Sequence, residues 1–367
     1  MINSSTNSIL SSLKKPQYYL NVILRYTHNT NSSNKEYVDQ QRLLKVAIIG
    51  VPNAGKSTLI NRIIQRNILA TSNKVHTTRL KARAILVEKQ TQIVFLDTPG
   101  LVDNEEITKY NLEKSFTSDC LGAIYEADTI GVLHDVSNRH TRNRLDPKVL
   151  RLLHLNDDKE SFLILNKIDA FRSRRSLLDL SKSLTCNNLK NLENYKKDKS
   201  LNNLSEMKLS EKIKNCVGWD KFRDVFMISS LTGDGVQDIK DYLIQKSKPS
   251  SWIFPEGTLT DKQDTDLILE IIKANLLNNL PNEVPYKLQI ELEYFEVSSD
   301  GNMHIVVLVG CDTERLEKLV IGKKGNRIRR VAKESEQNLR NVFFTDVFLK
   351  LVVTEKHKTI ESVSAEM

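Results

Sequence analysis

The densest chemistry in the chain lies in nine residues, Gly50-Val-Pro-Asn-Ala-Gly-Lys-Ser-Thr58. They fit G-x-x-x-x-G-K-[ST], in which two glycines let the backbone wrap a polyphosphate with its N–H groups turned inward. Pro52, Asn53 and Ala54 would form the cradle, and Gly55 would lead into a helix whose first residues are Lys56, Ser57 and Thr58. Lys56 would reach the β- and γ-phosphates, and the Ser57 hydroxyl would ligate Mg²⁺.

Four further segments carry matching chemistry. Asp97-Thr-Pro-Gly100 follows the apolar run Ile93 to Leu96, so its carboxylate can hold a Mg²⁺-bound water while the Gly100 N–H approaches the γ-phosphate. Asn166-Lys167-Ile-Asp169 follows Phe162 to Leu165. A carboxylate at Asp169 can accept hydrogen bonds from the N1–H and exocyclic amine of guanine, a donor pair adenine lacks, which selects GTP over ATP. Ser229, Ser230 and Leu231 follow the run Val225 to Ile228, where a backbone N–H could meet the guanine O6. In Val75-His-Thr-Thr-Arg79 a threonine hydroxyl could close on Mg²⁺ and the γ-phosphate; Thr78 is chosen over Thr77. Lys56, Thr78 and Gly100 are therefore the expected catalytic set, and Ser57, Thr78 and Asp97 the expected Mg²⁺ set. His134 and Asp135 read as structural.

The elements that must position these residues follow from periodicity. The runs Leu43 to Ile49, Ala82 to Val87, Ile93 to Leu96, Thr129 to Leu133, Phe162 to Leu165 and Val225 to Ile228 alternate with helical stretches. That rhythm predicts an α/β domain with a mostly parallel sheet, helices on both faces, and ligands at the carboxyl ends of the strands. Residues 171–215 interrupt it with eleven Lys/Arg against five acids, and are expected to form a solvated, partly helical insertion.

A second constellation lies in the last third. Ile321-Gly322-Lys323-Lys324-Gly325-Asn-Arg327-Ile328-Arg329-Arg330 holds a G-x-x-G loop between two helical stretches, which lets backbone approach single-stranded nucleic acid closely. Lys318 to Arg340 carry eight basic residues against two acidic ones, whereas residues 250–367 as a whole carry fifteen against nineteen. Such a local reversal of sign is expected of a phosphate-tracking groove. Around it the sequence predicts a helix from Asp264 to Leu280, strands over Tyr286 to Val297 and His304 to Val309, helices from Thr313, and a last strand over Val347 to Val353. Tyr286 and Phe295 are expected in the core as strand residues.

Composition sets the remaining bounds. The chain has 367 residues, 27% charged and 40% hydrophobic, with a net charge of +8 and a pI near 9.1, which favours an anionic partner. Cys120, Cys186, Cys216 and Cys311 are scattered without metal spacing, so reduced thiols are expected, and no stretch approaches a membrane span. Met1 to Lys35 contain no Asp or Glu, are rich in Ser and Asn, and cluster Ile9, Leu10 and Leu13 at helical spacing, as in an organellar import presequence. The expected organisation is residues 1–40 as presequence, 41–248 as nucleotide-binding domain, 249–261 as linker, and 262–367 as RNA-binding domain.

The P-N-x-G-K-S loop, the T-T-R segment and D-T-P-G-L resemble the TrmE-Era branch of P-loop GTPases with a Ras-like fold. I-G-x-x-G-x-x-I within an α-β-β-α-α-β order resembles a type II KH domain. The two together, joined through Trp252, resemble the Era family over about residues 43–360, apart from the insertion. In that family the resemblance implies K⁺ beside the phosphates at Asn53, and a GTP/GDP-regulated chaperone for the 3′ region of small-subunit ribosomal RNA. With the presequence it implies the mitochondrial branch, in the matrix with peripheral inner-membrane association open, supporting assembly of the small ribosomal subunit as a monomer without DNA. Leu101 stands where Ras-like enzymes carry a water-orienting glutamine, so slow intrinsic turnover is expected, aided by a cation or partner. The alternative is an RNA-stabilising protein whose nucleotide domain acts as a conformational sensor. A TrmE-type tRNA-modifying role is disfavoured, because that work needs a cofactor-binding domain absent from this sequence.

Overall fold

The computed structural model describes residues 41–69, 83–97, 115–171, 173–188, 211, 213–281 and 284–355. The first half is an α/β layer. Strands β1 (Arg42–Ile49), β2 (Arg83–Glu88), β3 (Thr91–Asp97), β4 (Thr129–Asp135), β5 (Glu160–Asn166) and β6 (Phe222–Met227) lie in the order β2-β3-β1-β4-β5-β6. All neighbours are parallel except β2, which returns antiparallel to β3. The central strands are apolar on both faces because both are covered. Ile49, Val132, Leu163 and Leu165 pack with α2 (Ser115–Glu126) and α3 (Pro147–Leu155), whereas Val46, Ile48, Phe95 and Phe162 pack with α1 (Lys56–Ile64) and α5 (Val236–Lys246).

Of the insertion, residues 171, 173–188, 211 and 213–215 are described, and they include the expected helix, which carries an apolar face that the charge count does not announce. That helix, α4 (Arg174–Leu184), is capped by Ser173 and buries Leu177, Leu180 and Leu184 in the same core as Trp219. Charge counting over the segment hides that apolar stripe, because Arg175 and Lys182 stand exposed on the same helix.

Residues 248–261 run as a strap against the first domain. Lys248–Pro249 form β7, antiparallel to the start of β1. Fully buried Gln92 donates to the Phe254 carbonyl at 2.8 Å and accepts from the amides of Ile253 and Phe254. Further on, Ile85 N–H donates to Leu259 O, and Arg83 N–H to the Asp261 carboxylate.

The second half is a three-stranded sheet, β10 (Val347–Glu355), β9 (Met303–Cys311), β8 (Gln289–Val297), with β10 parallel and β8 antiparallel to β9. Helices α6 (Asp264–Asn279), α7 (Glu314–Ile321) and α8 (Asn326–Phe343) share a core with the alternate residues Ile305, Val307 and Val309 of β9. Between α6 and α8, buried Asn275 donates to Ser335 Oγ at 3.1 Å and accepts from Asn338, so the polar groups enclosed there are satisfied. This is the P-loop G domain followed by a KH domain that the sequence predicts. One expectation fails: Tyr286 lies in a 3₁₀ turn, Val284–Lys287, and is only half-buried, because Pro285 bends the chain before the strand begins. Phe295 does lie in β8, packed against the core.

Candidate nucleotide site and nucleic-acid groove

The carboxyl ends of β1, β3, β4, β5 and β6 converge on one edge, where the loops bearing the candidate residues emerge. β1 runs into the phosphate loop, and Gly50 is tightly placed there, since a Cβ on it would lie 2.5 Å from the Leu133 carbonyl oxygen. Gly55 has φ +105°, and a Cβ there would meet the Asn166 amide nitrogen at 2.5 Å. The second glycine of the motif is thus required by backbone conformation and by close approach at once. α1 starts at Lys56 with no side-chain cap, and a helix N-terminus of this kind is suited to an anion. Lys56 is buried, with Nζ 3.0 Å from Gly50 O and 3.1 Å from Val51 O; Ser57 and Thr58 are half-buried beside it. Pro52 is half-buried, Asn53 is exposed at φ +59°, and Ala54 is fully buried.

Asn166 ties the phosphate loop to the base loop. It is 1% exposed, donates to Ala54 O at 2.8 Å, and accepts from both the N–H and the hydroxyl of Ser230 at 2.9 Å. Lys167, in the left-handed region, donates to Asn53 O at 2.8 Å and to the Asp135 carboxylate at 2.6 Å. Ser229 accepts from Thr232 N–H through its hydroxyl and from Gly233 N–H through its carbonyl, closing a turn that leaves Leu231 exposed. Asp169 lies on a 3₁₀ turn, Ile168–Ala170, and is exposed.

Two contributors escape a motif reading. Burial would raise the Asp135 carboxyl, yet hydrogen bonds from Lys167 and Ser137 together outweigh it and hold it below the usual carboxylate range. Asp135 is structural, as expected, and what it positions is Lys167. Arg62 donates to the carbonyls of Ser230 and Leu231, so α1 reaches the base loop as well as the phosphate loop. His134 is buried, bonded through Nε2 to Arg142 O at 2.7 Å, and burial lowers its pKa. Since a carbonyl only accepts, that nitrogen carries the proton.

Asp97 ends β3 in register with Ile48 of β1, so its backbone stands beside the entry to the phosphate loop. Its side chain, and Thr78, Gly100, Leu101 and the presequence, lie outside the described residues. The described part fits a guanine nucleotide: two glycines where a Cβ would clash, a buried lysine, a helix N-terminus without a side-chain cap, and a base loop pinned by Asn166. Ser57, half-buried in the first turn of α1, offers a hydroxyl that fits a Mg²⁺ ligand.

The second candidate site lies between α7 and α8. Gly322 has φ +72°, and a Cβ there would come within 2.7 Å of Arg327 Cβ; Gly325 has φ +74°. Lys323 and Lys324, between them, are exposed, as are Arg329 and Arg330, while Ile321, Arg327 and Ile328 are half-buried. Lys323, Lys324, Arg329 and Lys333 pair with no carboxylate among the described residues. Arg330 pairs with Glu334, Arg327 donates to Leu319 O, and Arg340, at the far end of α8, pairs with Glu336. The unpaired cations therefore gather at the loop rather than along all of α8.

The domains meet at the end of α1. Arg66 stands over the ring of Phe344 at 3.9 Å, next to a cleft of about 520 Å³ lined in part by Arg62, Gln65, Leu231 and Asn341.

The family described as 50S ribosome-binding GTPase matches residues 45–167, and the KH domain family matches residues 283–359. The chain is 37% identical over 342 residues to the mitochondrial GTPase Era of Danio rerio, covering 86% of this chain and 76% of that one. It is 30% identical over 308 residues to the GTPase Era of Sinorhizobium medicae, covering 84% and 86%. A crystal structure of Era in complex with MgGDPNP and nucleotides 1506-1542 of 16S ribosomal RNA shares the fold, with a TM-score of 0.65 at 23% identity over 86% of this chain and 94% of that one.

Proposed function

The chain belongs to the Era family of GTPases, and on that premise we propose that it is a GTP-regulated chaperone of small-subunit ribosomal RNA that supports assembly of the small mitochondrial ribosomal subunit. The observation that carries the nucleotide half is Asn166, one buried side chain hydrogen-bonded to both the phosphate loop and the base loop. GTP bound there would supply the energy of a hydrolysable phosphate, with Mg²⁺ offsetting its charge. Within the chain, Lys56 and the α1 amides bind the phosphates, Asp169 reads the base, and Ser57, Asp97 and Thr78 hold the Mg²⁺. Asn53 is assigned to K⁺, and Gly100 to the γ-phosphate.

The RNA half rests on the unpaired lysines and arginine around Gly322 and Gly325, and is supported by the Era complex with nucleotides of 16S ribosomal RNA, which shares the fold. Residues 41–248 serve nucleotide binding and 262–367 RNA binding, with the strap at 249–261 linking them. Matrix localisation is supported by the acid-free first 35 residues and by the mitochondrial relatives. Among the described residues no helix is long and apolar enough to cross a membrane.

Turnover should be slow in the protein alone, because Leu101 offers no hydrogen bond to water. Measuring GTP hydrolysis with and without K⁺ and a 3′-terminal small-subunit rRNA fragment tests the proposal. Acceleration by either is expected; none under any condition would favour the sensor reading. Gly322→Asp with Gly325→Asp should abolish binding of that fragment and leave GTP affinity intact, and retained RNA affinity would remove the groove.

A further inference from the structure

The KH sheet has a second face that its core does not use. Ile305, Val307, Val309, Leu349, Leu351 and Val353 turn toward the helices. Strand alternation places the intervening His304, Val306, Leu308, Phe348, Lys350 and Val352 on the opposite face. Cross-strand register continues it onto β8, with Glu296 beside His304 beside Phe348, Tyr294 beside Val306 beside Lys350, and Glu291 beside Leu308 beside Val352. Glu293, the extra residue where the register shifts between Leu292 and Tyr294, is exposed. Tyr294 and Phe348 are 47% and 50% exposed, and His304 stacks on Phe348 at 5.0 Å and 14°.

The electrostatics of this face oppose those of the groove. Glu291, Glu293 and Glu296 pair with no cation among the described residues, and Tyr294 donates its hydroxyl to Glu296. Outside Lys318 to Arg340, residues 250–367 carry seven basic against seventeen acidic residues. Phosphates are repelled here, and stacking two copies face to face would oppose like charges. A guanidinium suits the site, since it pairs with carboxylates through its planar fork and stacks on exposed aromatic rings.

We propose that this outer sheet face, centred on Tyr294, Glu296, His304 and Phe348, docks an arginine- and lysine-rich polypeptide segment, so that the KH domain holds RNA on one side and a cationic protein on the other. The assignment does not depend on which RNA the groove takes.

The test is fluorescence anisotropy of a labelled peptide of Arg-Gly-Ser repeats titrated with the full-length chain at physiological salt. The expected result is saturable binding that weakens about tenfold when Glu291→Lys, Glu293→Lys and Glu296→Lys are combined. Phe348→Ser, a surface change that spares the core, should weaken it several-fold. Neither variant should weaken binding of a single-stranded RNA oligonucleotide. The proposal is overturned if the peptide binds both variants as tightly as the parent, or if the oligonucleotide displaces it. It is equally overturned if the oligonucleotide protects β8 to β10 from hydrogen exchange, or if the triple variant dissociates a dimer formed by the parent.

Discussion

Replacing Asn166 by alanine probes the joint on which the nucleotide site depends. Its side chain makes three hydrogen bonds, to Ala54 O, Ser230 N–H and Ser230 Oγ, at 2.8, 2.9 and 2.9 Å. At roughly 1 kcal/mol net for each neutral bond, the change removes about 3 kcal/mol, and more if the buried partners stay unsatisfied. Most of that loss should fall on the loops rather than on the sheet, because β5 keeps its ladder to β4 and β6. A loss of about 3 kcal/mol in holding the base loop against the phosphate loop corresponds to a drop of roughly a hundredfold in nucleotide affinity. Asn166 reaches the two loops and not the γ-phosphate position, so GTP and GDP should weaken by the same factor. Titration with a fluorescent GDP and GTP pair, with circular dichroism confirming the fold at the assay temperature, reads this directly. Affinities within twofold of the parent, or a loss confined to GTP, would refute the bridging role.

Three other perturbations separate further parts of the argument. Asp169→Asn removes two bonds to a charged acceptor, roughly 3–6 kcal/mol of guanine binding, and should shift preference toward xanthosine nucleotides in competition binding; unchanged GTP preference would unseat Asp169 as the base reader. For His134 the folded pKa lies below the ordinary value near 6.5, so its contribution is complete above that pH and is lost as acid protonates the buried ring. His134→Gln, which keeps a donor for Arg142 O, should therefore flatten the stability profile below about pH 6.5 in urea titrations, by at most ~1.4 kcal/mol per pH unit; parallel profiles would contradict burial as the cause. Arg66→Ala should remove about 0.5–1 kcal/mol from the contact with Phe344 and raise the radius of gyration in small-angle scattering, and an unchanged radius would mean that this contact does not hold the domains together.

Both folds were legible in the sequence because their signals are local. A phosphate loop needs its glycines and lysine within nine residues, and strands buried on both faces need continuous apolar runs. The G-x-x-G loop likewise declares itself by spacing and by charge reversal. Two parts were misjudged, one because its packing partner lies far along the chain and one because of a neighbouring proline. Helix α4 was read into a solvated stretch because the partner of its buried leucines, Leu177, Leu180 and Leu184, is Trp219, well beyond it in sequence. Tyr286 was misplaced because a strand pattern does not register the turn that Pro285 imposes.

By itself the sequence determined which residues could meet phosphate, guanine and RNA, since those chemistries are written in residue type and short spacing. Only the tertiary structure decided what holds them in place: Asn166 reaching a phosphate loop 112 residues before it and a base loop 64 residues after it, Asp135 holding Lys167, Arg62 reaching from the phosphate helix to the base loop, and Gln92 pinning the strap. It also divided the cations of the KH domain into paired and unpaired, and gathered three glutamates and two aromatic rings on one face. The physical reason is common to all of these. A hydrogen bond or ion pair depends on distance in space, and only the assembled sheet and its packed helices bring distant stretches of chain within its reach.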